Sequence, residues 1–591
     1  MTSLIIPRLH VRSAIREVLI YLKRASSSST TTKTSYYHHA SSLPFWNKTL
    51  GQSFDDMAEK YPADECYIFK MENKRYTFKS FKDEVNSIAT SLLELGFETG
   101  DRLGVWLPNT SENVLLSFAC SKLGIIKVNI NPAYLEHEIK YCLNKVMCKG
   151  LVMQPNVKIL NLLSTFTKLV PELQSSKAGD LKSQSVPSLK HVILAGTQPI
   201  SGTHSFNELL NRGGNRRQHD LVVRQNSIDS DAPAAIYFTS GTTGKPKAAT
   251  LTNFNMLNTA VACYEHIGCF FTRLCVPIPM FHGFAEIAGT LNACVGKSCM
   301  IYPAQLSDTE LTMKAIQEEK CTALIGAPII FRDILTHPNR KKYDLSSLDY
   351  AALGASPMSS DFLETLEKEI PIKRVSQGYG MTENSALLTS GMWAEANDRR
   401  RRTGSMGKPM QRIEIKLVNE KGETVALGEE GEIWARGYCV MKGYWNDEEK
   451  THETLTESKW LKTGDIAVMD EDGYLFFRGR MKEMIIRGGV NIYPIEIENV
   501  IILHPKVAEA QVFGIPDKRY GEEVCAWIRL KPNEQCDVND IQKFLSTRLA
   551  FFKIPKYMKI VDKFIMTPTG KVQKFRLSEM TVNDLNISKD S

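Results

Sequence analysis

Nothing in the 591 residues approaches the ~18 uninterrupted apolar residues of a membrane-spanning helix. The most apolar stretches, such as Leu324 to Phe331, are interrupted by residues like Gly326 and Pro328. These read as buried strands and turns, and no integral membrane segment is expected. CxxC pairs are also missing: the 13 cysteines, an odd number scattered from Cys66 to Cys536, fit neither a disulfide framework nor a zinc pattern. Cys263, Cys269 and Cys275 surround His266, but no second ligand pair follows at zinc-finger spacing. The cysteines therefore read as small core residues in a reducing compartment. No internal repeat is evident, and no Ser-His-Asp or Cys-His set suggests a covalent nucleophile.

The body of the chain has little net charge of either sign. The formal charge is +7, but residues 1–40 hold Arg8, Arg12, Arg16, Lys23, Arg24 and Lys33 against Glu17 alone, a net +5 that leaves the remainder near +2. A general nucleic-acid binder concentrates its basic residues in the folded part, so no nucleic-acid partner is expected. The basic start has its own pattern. Residues 12–24, RSAIREVLIYLKR, place Ile15, Val18, Leu19 and Leu22 on one helical face, and the hydroxyl-rich run Ser26 to Ser35 follows shortly after. Amphipathic, Arg-rich, Ser-rich and acid-poor composition marks a mitochondrial transit peptide, assigned to residues 1–40 and implying the matrix; a disordered basic tail is the alternative. The apolar stretch Val18 to Leu22 is shorter than the ~7 residues of a secretory h-region.

With 43% apolar residues the chain has material for a large core in more than one unit. From Leu43 to about Arg480, helical patterns such as Phe81 to Leu95 alternate with strand-like runs such as Arg102 to Leu107. That alternation predicts an α/β fold. Ser175 to Ser188 and Gly202 to Asp231 read as loops or excursions. A charged connector, Arg478 to Glu483, marks a boundary. The expected division is a large domain over 45–480, a hinge at 481–482, a small mobile α+β domain over 483–580 and a tail over 581–591.

Four clusters carry chemistry. Tyr237 to Lys247 reads YFTSGTTGKPK behind the apolar run Ala234-Ala235-Ile236. Gly241 and Gly244 let the backbone approach an anion, Thr239, Ser240, Thr242 and Thr243 add hydroxyls, and Lys245 and Lys247 add positive charge, which suits ATP phosphates. It is not a Walker P-loop, because only two residues separate the glycines and Pro246 follows Lys245. Gln377-Gly378-Tyr379-Gly380-Met381-Thr382-Glu383 joins an aromatic that can stack on a base to a hydroxyl and a carboxylate suited to Mg²⁺; Glu383 as a helix N-terminal acid is the plainer reading. Asp465, in Thr463-Gly464-Asp465, is a candidate acceptor for ribose hydroxyls within reach of Arg480, with a turn Asp and a surface Arg as the alternative. Last, Lys571 follows the constrained turn Thr567-Pro568-Thr569-Gly570, where a fixed ammonium could stabilise charge during acyl activation.

In this order the segments resemble the adenylate-forming superfamily of acyl-CoA synthetases, peptide-synthetase adenylation domains and luciferases, from about Phe45 to Leu577. Pro279 to Phe284, PMFHGF, and the leader look most like medium-chain acyl-CoA ligases. The resemblance implies ATP, Mg²⁺, CoA and a fatty acid as ligands. It implies that Thr239 to Lys247 hold the β- and γ-phosphates, that Gly354-Ala355-Ser356 and Gln377 to Tyr379 hold adenine, and that Asp465 and Arg480 hold ribose. Thr382 and Glu383 would serve the α-phosphate and Mg²⁺, Lys571 adenylation, Lys482 the hinge, and Gly488 and Gly489 the pantetheine entry. His282 would gate the acyl pocket beside Phe284, or else sit as a hydrogen-bonded core residue. One departure is Thr252-Asn253-Phe254-Asn255, where many relatives have a Ser-His or Thr-His pair. PMFHGF lacks the Phe-Asp pair of amino-acid activators and no carrier domain follows, which favours CoA over another acyl acceptor; a catalytically inactive ATP-binding interaction protein is the remaining alternative.

Overall fold

Thr77 opens the predicted Phe81 to Leu95 helix, which runs Phe78–Glu94: its hydroxyl accepts the Ser80 N–H at 3.2 Å and Ser80 Oγ accepts the Thr77 N–H at 3.0 Å, a reciprocal cap. Phe81, Val85, Ile88 and Leu92 recur at helical spacing and are buried. The strand predicted after it is Arg102–Trp106. The structure, a computed structural model, describes residues 33–196, 198–212, 217–239, 245–267, 272–355, 360–391, 404–566 and 572–585.

Two largely parallel sheets form the large domain. The first runs His204–Ser205, His191–Leu194, Gly150–Met153, Arg102–Trp106, Ile126–Asn129, Pro233–Thr239, Lys247–Thr252, Gly443–Tyr444, with parallel pairing as far as Pro233–Thr239. The second has Glu65–Phe69, Cys299–Tyr302, Arg273–Cys275, Ala323–Gly326, Tyr350–Leu353 and Arg374–Tyr379 in parallel register. Strands buried on both faces, such as His191–Leu194 and Cys299–Tyr302, suit parallel sheets covered by helices. An antiparallel five-stranded sheet follows, in the order Tyr36–His38, Ile413–Val418, Glu430–Gly437, Leu461–Met469, Leu475–Arg480. Past the 3₁₀ turn Met481–Glu483, a small domain packs strands Ile485–Arg487, Val490–Ile492, Val507–Asp517, Gly521–Leu530 and Tyr557–Ile560 with helices Pro494–Ile502, Val538–Ser546 and Lys574–Asp584. Its buried residues, from Ile485 to Val582, form clusters separate from those of the large domain.

Several boundaries differ from expectation. Ser35 is fully buried and donates its hydroxyl to Ala426 O at 2.8 Å, and Tyr36 pairs with Lys416 across the antiparallel ladder. A leader limit at residue 40 would take the whole edge strand Tyr36–His38 with it; short, polar and aromatic, it carries no apolar alternation by which a sequence reading could find it. Residues 1–32 lie outside the described residues. Gly202 to Asp231 holds the strand His204–Ser205 and the helices Phe206–Arg212 and Gln218–Asn226, with Phe206, Leu209 and Leu221 buried, so it is a packed segment. The last helix runs past 580, with Thr581 and Val582 buried. Among the described residues the cysteines are unpaired and all but Cys536 are buried; burial pushes the Cys263 thiol up to about 12. Cys269 lies outside the described residues. Within them, no helix is long and apolar enough to cross a membrane.

Candidate active site

Ligands of open parallel sheets bind beyond the carboxyl ends of the strands; two of the sequence clusters sit there, and a third, on the antiparallel sheet, reaches them through Tyr379. Thr239 ends Pro233–Thr239 and faces Lys247 in an antiparallel hairpin. Ser240, Gly241, Thr242, Thr243 and Gly244 lie outside the described residues. The returning arm is held by two tyrosines that sequence reasoning missed. Tyr141 donates its hydroxyl to Pro246 O at 3.0 Å, with Lys245 Nζ 6.0 Å from its ring centre. Tyr444 lies under Lys247 Nζ, 4.8 Å from the ring centre, and donates its hydroxyl to Glu383 Oε1 at 2.8 Å. Neither tyrosine belongs to a motif; only the pairing of Gly443–Tyr444 with Lys247–Thr252 brings Tyr444 in.

The strand Arg374–Tyr379 ends in the second cluster. A methyl group at Gly380 would overlap the Ala386 carbonyl, so the chain passes there only as glycine. The 3₁₀ turn Thr382–Asn384 is closed by Asn384 Oδ1, which accepts the Met381 N–H at 2.9 Å, and the chain leaves it through left-handed Ser385 and Ala386. Glu383 is buried, and its carbonyl accepts Met441 N–H at 2.9 Å. Gln377 is also buried, and its Oε1 has no hydrogen-bond partner among the described residues.

The third cluster meets the second. Asp465 and Arg480 are cross-strand neighbours, and Arg480 Nε lies 3.2 Å from Asp465 Oδ1. Tyr379 donates its hydroxyl to Asp465 Oδ2 at 2.6 Å, so this side chain, expected to stack on a base, also orients the carboxylate. Asp465 is 5% exposed. Thr463 Oγ1 accepts the Asp465 N–H at 3.1 Å, and Gly464, with φ +73°, turns the strand so that its N–H reaches Glu432 Oε1 at 2.9 Å. Burial, then the Asp465 charge, pushes the Tyr379 phenol well above its ordinary value. Burial works against the charge of Arg480, but Asp465, Glu483, Tyr379 and Glu383 raise its pKa on balance.

Gly354 and Ala355 follow the strand Tyr350–Leu353, Ala355 with φ +71°, and Ser356 lies outside the described residues. A methyl group at Gly354 would sit 3.2 Å from Phe284 Cζ and 3.4 Å from Gly378 O, so PMFHGF and the second cluster close on one another. His282 N-caps the short helix Gly283–Ala285 through its backbone, and its half-buried ring lies 4.3 Å from that of Phe281. Thr252 and Asn255 cap each other, and Asn255 Nδ2 donates to Tyr438 O at 2.6 Å; this stretch is a structural fastening. Gly488 and Gly489, both with positive φ, form the exposed two-residue turn between Ile485–Arg487 and Val490–Ile492. Lys482 is exposed in the 3₁₀ turn. Lys571 lies outside the described residues; flanking it, Met566 bridges Val572, and Gln573 N–H reaches Ile565 O at 2.9 Å. Lys574 fastens that end of the loop to Glu498 Oε1 at 2.7 Å and to Glu483 Oε2 at 3.2 Å.

Residues 54–445 match the AMP-binding enzyme family and residues 496–571 its C-terminal domain. The chain belongs to the AMP-binding enzyme family. It is similar to the medium-chain acyl-CoA ligase ACSF2, mitochondrial, of Danio rerio, 39% identical over 551 residues that cover 93% of this chain and 90% of that protein. The putative acyl-CoA synthetase YngI of Bacillus subtilis (strain 168) is 36% identical over 546 residues, 92% of this chain and 98% of that one. The fold is shared with the crystal structure of the anthranilate CoA ligase AuaEII in complex with anthranoyl-AMP, at a TM-score of 0.80 and 24% identity over 92% of this chain and 99% of that one.

Proposed function

We propose that this chain is an AMP-forming acyl-CoA ligase. It joins a fatty acid, medium chains preferred, to ATP as acyl-AMP with release of pyrophosphate, then passes the acyl group to CoA with release of AMP. The observation that carries this reading is the unbroken set of contacts from Lys247 through Tyr444 to Glu383, with Glu383 in electrostatic reach of the Tyr379, Asp465 and Arg480 cluster. Support for a fatty acid of medium length comes from the names of the relatives. Those names and the basic leader also support the mitochondrial matrix.

ATP lies with ribose hydroxyls on Asp465, whose two oxygens are held by Tyr379 and Arg480. Its adenine sits against Gly354 to Ser356 and Gln377 to Gly380, where Gln377 Oε1, without a partner among the described residues, offers an acceptor. Its β- and γ-phosphates sit in Thr239 to Lys247. The acyl chain enters beside His282 and Phe284, which bring its carboxylate toward the α-phosphate near Thr382. Attack on phosphorus expels pyrophosphate, and catalysis consists of alignment and neutralised charge. Mg²⁺ suits the donor set of Thr382 and Glu383, because it takes one or two carboxylates with substrate phosphates and water; when bound it neutralises phosphate charge. Lys571 opposes the charge developing at phosphorus, a role typically worth ~3 kcal/mol. Rotation at Lys482 then exchanges Lys571 for the Gly488-Gly489 turn at the pantetheine entry.

The test incubates the chain starting at Lys33 with ATP, Mg²⁺, CoA and acids of graded length, measuring AMP and thioester. Thioester that peaks at medium chains, and that Lys571→Ala lowers about a hundredfold, is the expected result. AMP without thioester would point to another acyl acceptor, and neither product would remove the ligase reading.

A further inference from the structure

Beneath the site lies an ion pair with no part in the chemistry above. Glu286, 0% exposed, faces Lys127, 2% exposed, with Lys127 Nζ 3.0 Å from Glu286 Oε1. Ser117 donates its hydroxyl to the same oxygen at 2.6 Å and accepts from Lys127 Nζ at 2.8 Å. Tyr237 donates its hydroxyl to Glu286 Oε2 at 2.7 Å. Every member sits on a different element: the helix Ser111–Leu123, the strand Ile126–Asn129, the strand Pro233–Thr239, and the π-helical segment Glu286–Thr290.

A buried ion pair is a weak source of stability, because well-packed apolar residues of similar volume often serve as well or better. What the network does is geometric. Tyr237 is two residues before Thr239, where the phosphate hairpin begins, and Glu286 is two residues after Phe284, which packs on Gly354. The same acyl-side segment is anchored upstream by Asn109, whose Nδ2 donates to Ile278 O at 2.9 Å and whose Oδ1 accepts Met280 N–H at 2.8 Å. π-Helical segments are themselves rare and frequent at functional sites. We propose that Glu286 is a positioning residue for adenylation: through Tyr237, Lys127 and Ser117 it sets the acyl-side segment His282 to Phe284 in register with the strand that delivers the phosphate loop.

This rests on the ligase reading and separates the two half-reactions. Before adenylation the carboxylate and the α-phosphorus are on different molecules, and only the protein fixes their mutual placement. Small misplacements of reacting groups cost up to a hundredfold in rate. In acyl-AMP the two are covalently joined, so their placement no longer depends on the network. The variants are Glu286→Gln, Tyr237→Phe, and the double apolar exchange Lys127→Met with Glu286→Leu. Acyl-AMP formation from ATP and fatty acid is compared with thioester formation from supplied acyl-AMP and CoA, each rate expressed per folded enzyme. The expected result is adenylation slowed about tenfold or more in Glu286→Gln and the double exchange, less in Tyr237→Phe, with the second half-reaction unchanged. An equal fall in both half-reactions, or no fall in either, overturns the proposal. Should the charge variants fail to fold, the same comparison is read on Tyr237→Phe, which removes one oxygen. Wild-type protein that makes no acyl-AMP would instead defeat the ligase reading on which the proposal stands.

Discussion

Replacing Tyr379 with Phe removes one oxygen and keeps the ring. The lost hydroxyl donates to Asp465 Oδ2 at 2.6 Å, and Asp465 is 5% exposed, so water replaces the bond poorly. Hydrogen bonds to charged groups contribute about 1.5–3 kcal/mol. At 1.4 kcal/mol per factor of ten, that is about tenfold to 150-fold. Arg480 still holds the other oxygen, at 3.2 Å, which keeps the carboxylate near its place and puts the expected loss toward tenfold. Because ribose is bound alike in the ground and transition states, the loss should appear as a raised KM for ATP with kcat little changed. The assay is initial pyrophosphate release against ATP concentration at saturating fatty acid. The wild-type phenol stays protonated across the neutral range, since burial and Asp465 hold its pKa well above 10, so the ratio of wild type to variant should be flat with pH. A variant with wild-type kcat/KM for ATP, or one whose defect lies wholly in KM for the fatty acid, would refute the assignment of Asp465 to ribose.

A chain starting at Lys33 keeps the edge-strand ladder, whereas one starting at Ser41 loses it together with the Ser35 bond to Ala426 and the Tyr36 bond to Glu414; at about 1 kcal/mol each, thermal denaturation should separate the two, and coincident curves would deny the strand its role. Gly380→Ala forces the backbone away from Ala386 and displaces Glu383, so adenylation should fall about tenfold or more; unchanged rates would show that the turn tolerates the shift. His191 is held neutral, its pKa lowered to about 4 by burial first and then by His204, Lys149 and Lys190. The unfolded chain takes up that proton near pH 6.5 and the folded one does not, so the contribution is complete above 6.5 and is lost as pH falls toward 4, on the order of 3 kcal/mol. Denaturant titrations should show a shallower pH slope in His191→Gln between those limits, and equal slopes would contradict the shift.

The clusters around Tyr379, Asp465 and Arg480 were legible in the sequence because each packs several chemically suited residues into a short segment, and the structure brings these three together. Their partners were not. Tyr444 acts on Glu383 from 61 residues away, and Glu286 meets Lys127 across 159. In the sequence Glu286 is one acid among Ala285, Ile287 and Ala288, and Lys127 one base between Ile126 and Val128, with no local pattern to mark either. The alternation of helix and strand predicted the α/β class because it is a property of consecutive residues. Gly202 to Asp231 was misread because its helices expose charged and polar residues on most turns and bury only Phe206, Leu209 and Leu221. Gly473 likewise depends on a distant partner: the ring that would collide with a methyl group there belongs to Tyr37, 436 residues earlier.

That distant pairing has a consequence for how the protein is made. Tyr36 bonds to Glu414, 378 residues later, so the strand Tyr36–His38 emerges from the ribosome long before its partner exists. At 5–20 residues per second the wait is roughly 20 to 75 s. Throughout that interval Tyr36–His38 has no ladder to join, and this edge of the antiparallel sheet closes only once Ile413–Val418 has been synthesised.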